Sequence, residues 1–296
     1  GISAFYGTAI ESLEIPDTVA EVGSSAFGSC SSLKTVKFSE KVKNINDFTF
    51  SNCFALDSIV FPEQLEFIGD SAFWNCISLK NVTVPKNVKK LSWHVFEYCT
   101  NLEKVIFQSD QLTTISRSVF SGCKNLKTVR LPQNIKTIEN SAFNQCAALE
   151  DFEIPETVEL IEGNALNDCT VSTLHIGEKL VLEQYAIQAF DNVIINPNNK
   201  EYLMENGVLY NISKSIIIGV SSSVKDLKIP ANVKELSALN GNKTIESVEF
   251  QAGFNKDNLN GVFSGCFALK KVVLPECVTS IVGTFADCKS LKNVTL

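Results

Sequence analysis

Apolar and polar residues alternate in short segments that recur along the whole chain. In the segment 102–107 (Leu-Glu-Lys-Val-Ile-Phe) the first, fourth and sixth residues are apolar, which places Val105 and Phe107 on one face of an extended strand. Seven such segments end directly at a proline, which has no N–H to donate and a fixed φ, so it ends strand pairing and turns the chain. The pattern therefore predicts short strands that are buried on one face.

Cysteines recur in step with these segments. Seven of them fall at intervals of 23 or 24 residues, and each of the first six precedes a leucine by three residues. They are Cys30, Cys53, Cys76, Cys99, Cys123, Cys146 and Cys169. A repeat of this length with leucine-type spacing is typical of a leucine-rich repeat solenoid. We predict a right-handed solenoid of the α/β class, mostly β with short helical turns, built from 23-residue repeats with a parallel sheet along one face.

Two further features complete the predicted coil. An apolar pair of the form V-x-x-I, such as Ile135 and Ile138, follows the proline and predicts a short extended piece on the opposite wall. A [GDN]-S-A-F string comes next, in which Asp70 or Asn140 is suited to cap a single helical turn. That turn is predicted to bury the phenylalanine, as at Phe73.

One coil cannot bury its apolar side alone, so neighbouring coils must stack. The continuous period indicates a single solenoid domain over residues 1–296. Thirteen strand segments are predicted, beginning near Ser12, Leu33, Leu56, Leu79, Leu102, Leu126, Leu149, Val171, Asp191, Val224, Ile245, Leu269 and Leu291. The pattern lapses at about 197–223, where Asn206-Gly207 followed by the apolar runs 208–210 and 215–218 predicts inserted hairpin strands. A polar loop at 251–260 lengthens a later coil.

The recurring string [IL]-P-x-x-V-x-x-I-x-x-x-A-F-x-x-C-x-x-L-x-x-[IV] resembles the Treponema and Bacteroides type of leucine-rich repeat, the BspA-like family, over nearly the whole chain. The segment 206–210 also resembles that family's recurrent D/N-G-V-L-[FY] interruption. The resemblance implies an exported bacterial surface or secreted protein that mediates adhesion and host contact, with no shared catalytic residues. Thr8 departs from the pattern where the first cysteine would stand, and Val171 and Asp191 open strands without C-x-x-L.

Charge and hydropathy limit the partners and the location. The net charge of -7, with Lys and Arg dispersed, argues against nucleic acid, whose binding needs a basic stripe. No apolar run reaches the roughly 18 residues of a transmembrane helix. The chain starts in mid-repeat at Gly1 without a leader, so we expect a secreted or cell-surface protein whose signal or anchor segment lies outside this sequence.

The ten cysteines are predicted to be free thiols. Nine of them share one coil position, and parallel side-chain directions do not favour the dihedral angle of a disulfide. No C-x-x-C or paired Cys/His spacing indicates a zinc site. Cys277 lies off this column, and we expect it to be the reactive thiol; an accidental loop position is the alternative.

Catalysis and cofactors are not indicated. The two histidines, His94 and His175, fall in different coils and at different coil positions, which does not fit a Ser/His/Asp or Cys/His triad. The sequence contains no G-x-x-x-x-G-K-[ST], G-x-S-x-G or H-E-x-x-H string. We therefore predict a protein that is not an enzyme and that needs no cofactor.

The first candidate binding surface is the fifth position of each strand, which should face outward. It mixes both signs of charge with two apolar residues. Its members are Lys37, Val60, Thr83, Ile106, Arg130, Glu153, His175, Lys228, Glu249, Val273 and Thr295. An ordinary solvated sheet face is the alternative explanation.

The second candidate surface is aromatic. Trp74, Trp93, His94 and Tyr98 occupy polar positions of adjacent coils, where other repeats have Gly, Ser or Asn, and Phe48 takes the coil position of His94 in a nearby repeat. Exposed aromatic residues in such clusters are typical anchors for protein or glycan ligands. Packing between coils is the alternative.

Three functions fit these observations. The first is a non-enzymatic adhesion module that engages an extracellular protein of the host matrix or of a neighbouring cell surface. The second is a carbohydrate-binding module, which requires the tryptophans to form a flat exposed platform. The third is a passive spacer, which requires both candidate surfaces to be buried.

Overall fold

The computed structural model describes residues 1–150 and 152–295 and shows a mostly β solenoid of about 12 turns of roughly 23 residues. A regular coil has three walls: a front strand, a short second strand, and a stretch of turns that leads to the next front strand. Strands of neighbouring coils pair in parallel on both of the first two walls. The predicted solenoid and parallel sheet are confirmed. Asp151 and Leu296, which fall in two of the predicted strand segments, lie outside the described residues.

Short strands dominate the chain. In the first half they are β1 Ser12–Glu14, β2 Thr35–Lys37, β3 Asn44–Ile45, β4 Phe67–Ile68, β5 Asn81–Val84, β6 Lys90–Leu91, β7 Lys104–Phe107, β8 Thr114–Ile115, β9 Thr128–Arg130, β10 Thr137–Ile138, β11 Glu153–Ile154 and β12 Leu160–Ile161. They continue as β13 Leu166–Ile176, β14 Val181–Leu182, β15 Ile187–Ile195, β16 Tyr202–Glu205, β17 Val208–Asn211, β18 Ile217–Ser221, β19 Asp226–Ile229, β20 Ser247–Phe250, β21 Lys271–Val273 and β22 Asn293–Thr295.

The strands hold equivalent residues of successive coils side by side. On the front wall Lys37 pairs with Val60, and Thr83 pairs with Ile106. Twelve of the thirteen predicted segments form strands, and the remaining one forms an isolated bridge at Val60. On the second wall, Ile138 in β10 pairs with residues of β8 and β12, which confirms the extended piece that the V-x-x-I pattern predicts.

The third wall, which we call the turn wall, corrects the prediction of a capped helical turn. It consists of β-turns whose alternate N–H groups bond to the next coil, as Phe73 N does to Val95 O at 2.9 Å. Asp70 and Asn140 therefore cap no helix, although the phenylalanine is buried as predicted. Among the described residues the one helix is the 3₁₀-helix Ser237–Leu239, and none is long and apolar enough to cross a membrane.

Columns of identical residues fill the core between the walls. A phenylalanine from each of six successive coils stacks almost parallel on the next, with ring centroids 5.4 to 5.8 Å apart. The column is Phe27, Phe50, Phe73, Phe96, Phe120 and Phe143. Offset stacking at such distances is favourable beyond the burial of the rings, so the column ties each coil to its neighbours.

The cysteines form a second column, which we call the thiol ladder. Each thiol donates to a backbone carbonyl of the preceding coil, as Cys76 Sγ does to Phe50 O at 3.1 Å and Cys99 Sγ to Phe73 O at 3.2 Å. All ten cysteines are free, and burial raises the pKa of the ladder thiols Cys76 and Cys99. The predicted column of free thiols is confirmed. Cys277 lies off it, half-buried, and its reactivity stays a prediction.

The inserted segment is a three-stranded meander. Strands β17 and β18 correspond to the predicted hairpin strands and pair antiparallel, and Asn206-Gly207 joins β17 to a further strand, β16. The strand Tyr202–Glu205 was not predicted. Strand β17 contributes to two apolar cores, because Leu209 packs into the cluster that contains the first coils, while Val208 and Tyr210 pack into the cluster of the later coils.

Candidate binding surfaces

The front row consists of the outward residues Lys37, Val60, Thr83, Ile106 and Arg130. The structure places them at equivalent positions of successive coils and exposes all five. Val60 is 79% exposed and Ile106 is 40% exposed, so two apolar side chains face solvent with Thr83 between their coils. Lys37 is paired, since its Nζ lies 2.6 Å from Glu14 Oε1. The row faces outward as predicted.

His175 does not belong to the front row, contrary to the sequence prediction. The strand register aligns Glu153 with Thr173, so His175 lies two positions further along its strand. This coil spans 20 residues, and it lacks the C-x-x-L marker that fixes the register elsewhere. His175 instead lines a shallow cleft of about 390 Å³ together with Arg130 and Glu153.

The turn-wall patch consists of Phe48, Trp74, Trp93, His94 and Tyr98. Phe48, Trp93 and Tyr98 are each 43 to 48% exposed, and Trp74 and His94 are half-buried. Trp74 and Tyr98, in adjacent coils, meet edge to face with ring centroids 6.2 Å apart. Phe48 lies two coils from His94 on the same line of the wall. The structure therefore leaves much of the aromatic surface open to solvent.

Three residues of the patch have a left-handed backbone, which is uncommon for Phe and Tyr and less so for His. Phe48, His94 and Tyr98 have φ of 55°, 57° and 59°, in the left-handed region. Most other coils place Ser, Asn or Gly at these points, as at Ser71 and Gly122. Gly and Asn adopt this conformation readily, whereas most other L-residues pay roughly 1–2 kcal/mol. The aromatic side chains therefore stand where the backbone favours other residues.

Two charged residues that the sequence analysis missed border the patch. The guanidinium carbon of Arg117 lies 5.4 Å from the ring centroid of Trp93, a cation–π contact. Glu97 Oε2 lies 2.9 Å from His94 Nδ1. Arg117 follows Trp93 by 24 residues, one coil, so the repeat period itself identifies it as the neighbour of Trp93.

No metal centre is indicated. Within residues 1–150 and 152–295 no group of three His, Cys, Asp or Glu residues is arranged to hold a metal ion. The two candidate surfaces consist of aromatic, apolar and charged side chains.

Solved structures with the same architecture come from bacteria. A leucine-rich repeat protein from Bacteroides ovatus ATCC 8483 is similar with a TM-score of 0.61 and 26% identity, over 99% of this chain and 81% of that one. A leucine-rich cell surface protein from Faecalibacterium prausnitzii A2-165 is similar with a TM-score of 0.58 over 97% of this chain and 87% of that one. Its 22% identity shows the fold alone. No curated protein matches the chain significantly.

The repeats also match a family model along their whole length. The model describes a BspA type leucine-rich repeat region of six copies, and it matches residues 1–127, 66–194, 113–238 and 211–296. These ranges overlap and together span the chain. The chain therefore belongs to the BspA-type leucine-rich repeat family.

Proposed function

We propose that this chain is a non-catalytic adhesion module of an exported or cell-surface bacterial protein, and that its turn-wall patch contacts an extracellular protein. Family membership points to a protein-interaction or adhesion module. The observation that carries the proposal is the exposure of Phe48 and Tyr98, both about half exposed, on a left-handed backbone that disfavours them.

The energetics favour a function for these residues over a packing role. Residues in sparsely populated backbone regions cost of the order of 1–3 kcal/mol each and cluster at ligand-binding sites. Burial of the rest of the Phe48 side chain offsets part of this cost, and 45% of its surface remains in solvent. A partner that covers the ring restores that burial, which gives the residue a role in binding.

The contacts within the patch favour a protein partner over a glycan at this surface. A flat sugar platform needs an open ring face, but Arg117 covers one face of Trp93, and Trp74 meets Tyr98 edge-on. Trp, Tyr and Arg are the residues most enriched at the energetic centres of protein interfaces. The exposed charges of Arg117 suit the polar rim of such an interface.

The front row is a second contact surface in this proposal. Val60 and Ile106 are apolar and exposed, and single exposed apolar residues are common on soluble proteins. Their alignment in one row, two coils apart, distinguishes them from scattered residues, since one extended ligand segment is able to contact both. The turn-wall patch nevertheless carries more exposed apolar surface.

The test is binding of the purified chain to immobilised extracellular-matrix proteins, measured by surface plasmon resonance. A Phe48→Asn/Trp93→Ala variant should lose about tenfold or more in affinity, because two aromatic anchors are removed. A Val60→Ser/Ile106→Ser variant serves as the matched control on the front wall and should lose less. A folded chain that binds none of these proteins, or that binds unchanged after the patch substitution, contradicts the proposal.

A further inference from the structure

The turn wall is interrupted where the coil stack resumes after the meander. Four residues separate the buried second-wall residue Ile138 from Phe143 of the core column, whereas only two separate Leu236 from Leu239. Leu239 takes the place of the phenylalanine, because Cys266 Sγ donates to its carbonyl at 3.1 Å, as ladder thiols elsewhere donate to phenylalanine carbonyls. The shortened coil forms the 3₁₀-helix Ser237–Leu239 instead of two turns.

A groove of about 430 Å³ lies over this shortened coil. Tyr185 of an earlier coil lines one side, and Ser237 and Asn240 come from the shortened coil itself. The other side is lined by the next coil, through Asn258, Asn260, Gly261 and Val262. Because this coil has two residues fewer than a regular coil, it leaves a gap, and the longer coils on either side form the walls of that gap. The volume falls within the range of roughly 300–1,000 Å³ that is usual for small-ligand sites.

Tyr185 gives the groove an aromatic surface on an unfavourable backbone. Its φ is 62°, and it stands on the same line of the turn wall as Asn164, whose residue type suits that conformation better. The side chain is 39% exposed, so core packing does not explain the tyrosine. This is the same combination of exposure and strain that marks the turn-wall patch, at a separate place.

The polar lining is held in place by hydrogen bonds that use only part of each side chain. Asn240 Nδ2 donates to Gly261 O at 2.8 Å, Asn258 Oδ1 accepts from Asn260 N at 2.9 Å, and Glu235 Oε1 accepts from Ser237 N at 2.9 Å. The second polar atom of each side chain has no hydrogen bond within the part of the chain that the structure describes. These atoms are two acceptors, Asn240 Oδ1 and Glu235 Oε2, and one donor, Asn258 Nδ2.

We propose that this groove binds a neutral saccharide ring, stacked on Tyr185 and hydrogen-bonded by Asn240, Asn258 and Glu235. A sugar hydroxyl both donates and accepts, so it pairs with a mixed set of donors and acceptors. The apolar C–H face of a pyranose ring fits an aromatic side chain. The charges of Glu235 and Lys256 balance within the groove, which favours a neutral ligand over a phosphate or another anion.

The test uses an array of plant, microbial and animal glycans, followed by calorimetric titration of the strongest glycan that binds. Tyr185→Asn should weaken binding about tenfold or more, because the stacking surface is lost. Its unfolding midpoint should stay the same or rise, since asparagine accepts the left-handed backbone better than tyrosine. Tyr185→Phe keeps the ring and should keep the affinity to within about threefold.

Tyr98→Asn is the matched control, because it makes the same exchange in the turn-wall patch. It should leave glycan affinity unchanged, which separates this site from the proposed protein contact. The proposal is overturned if no glycan binds above background, if Tyr185→Asn binds as tightly as the unchanged chain, or if Tyr98→Asn loses the glycan equally.

Discussion

The thiol ladder makes the stability of this protein sensitive to alkaline pH. Burial raises the pKa of seven ladder thiols, and for Cys53 and Cys266 it raises the pKa from 9.0 to about 12. The other five are Cys76, Cys99, Cys123, Cys146 and Cys288. In the unfolded chain the same thiols are in water and lose their protons near the ordinary pKa.

The sign of the effect follows from which state holds the proton. The folded pKa lies above the unfolded one, so the folded state binds more protons once the pH exceeds about 9. The stabilisation from each thiol is complete below pH 9 and is lost as the pH rises towards the folded pKa. Between pH 8 and pH 10 each well-buried thiol loses a stabilisation on the order of 1 kcal/mol, and the ladder as a whole loses several kcal/mol. Folded proteins are stable by only about 5–15 kcal/mol.

The chain is therefore expected to lose several kcal/mol of its free energy of unfolding by pH 10. The assay is urea unfolding followed by far-UV circular dichroism at pH 7, 8, 9 and 10 in the presence of a reducing agent. Cys99→Ala and Cys99→Ser each remove one titrating thiol from the centre of the ladder. Both should reduce the loss of free energy of unfolding between pH 8 and pH 10 by about 1 kcal/mol, independently of their effect on stability at pH 7.

Cys277→Ala is the control for this measurement, because Cys277 lies outside the ladder, half-buried, with its Sγ 3.2 Å from Phe254 O. The deprotonation of lysine and tyrosine is common to all the variants. If the Cys99 variants lose as much free energy of unfolding between pH 8 and pH 10 as the unchanged chain, the ladder thiols are not the origin of the pH dependence. Unchanged stability of the parent chain at pH 10 contradicts the reasoning outright.

Three further results are expected. Phe96→Ala should lower the free energy of unfolding by about 3–5 kcal/mol in urea titrations, because the ring is fully buried and stacked on both faces. A loss below about 1 kcal/mol would contradict the stabilising role of the phenylalanine column. Gly122→Ala should lower the melting temperature and displace the Tyr98 ring, since φ is +74° and the new Cβ would lie 2.5 Å from Tyr98 Cδ1. If residues 1–296 are one domain, tryptophan fluorescence, which reports only on the early coils, and circular dichroism should give coincident unfolding curves; separate transitions would indicate two units.

The period of the fold could be predicted from the sequence because each coil must bury apolar residues at the same positions. Cys, Leu and Phe at fixed spacings fill columns that run through the whole stack, so one marker identifies every equivalent position. Where a marker is missing, the register becomes ambiguous. The misplacement of His175 arose in this way, since the coil after Glu153 is shorter than 23 residues and has no leucine marker.

The conformation of the turn wall was not readable from local sequence. Ser, Asp and Asn before Ala-Phe suit a helix N-terminus, and Ser and Asn are also the residues that this wall places in the left-handed region. The choice is made by hydrogen bonds between coils, such as Phe73 N to Val95 O, which reach across residues far apart in sequence. A sequence that is compatible with both a helix N-terminus and a left-handed turn does not distinguish between them. The groove at Tyr185 was missed for a related reason, because it depends on a coil that is two residues short.

The two proposed sites share a structural origin in the turn wall. A residue whose side chain belongs to a core column cannot be substituted without disturbing the neighbouring coils. The same holds for the inward-facing residues of the front wall, because they pack into the core. The left-handed positions of the turn wall lie outside these columns, since most of their side chains are partly or fully exposed and their backbone is fixed by bonds between coils. Substituting Ser or Asn there by Tyr or Phe leaves the core intact and adds an aromatic surface at a cost in backbone strain. Exposed aromatic residues at positive φ are therefore the feature by which binding sites on this solenoid are best recognised.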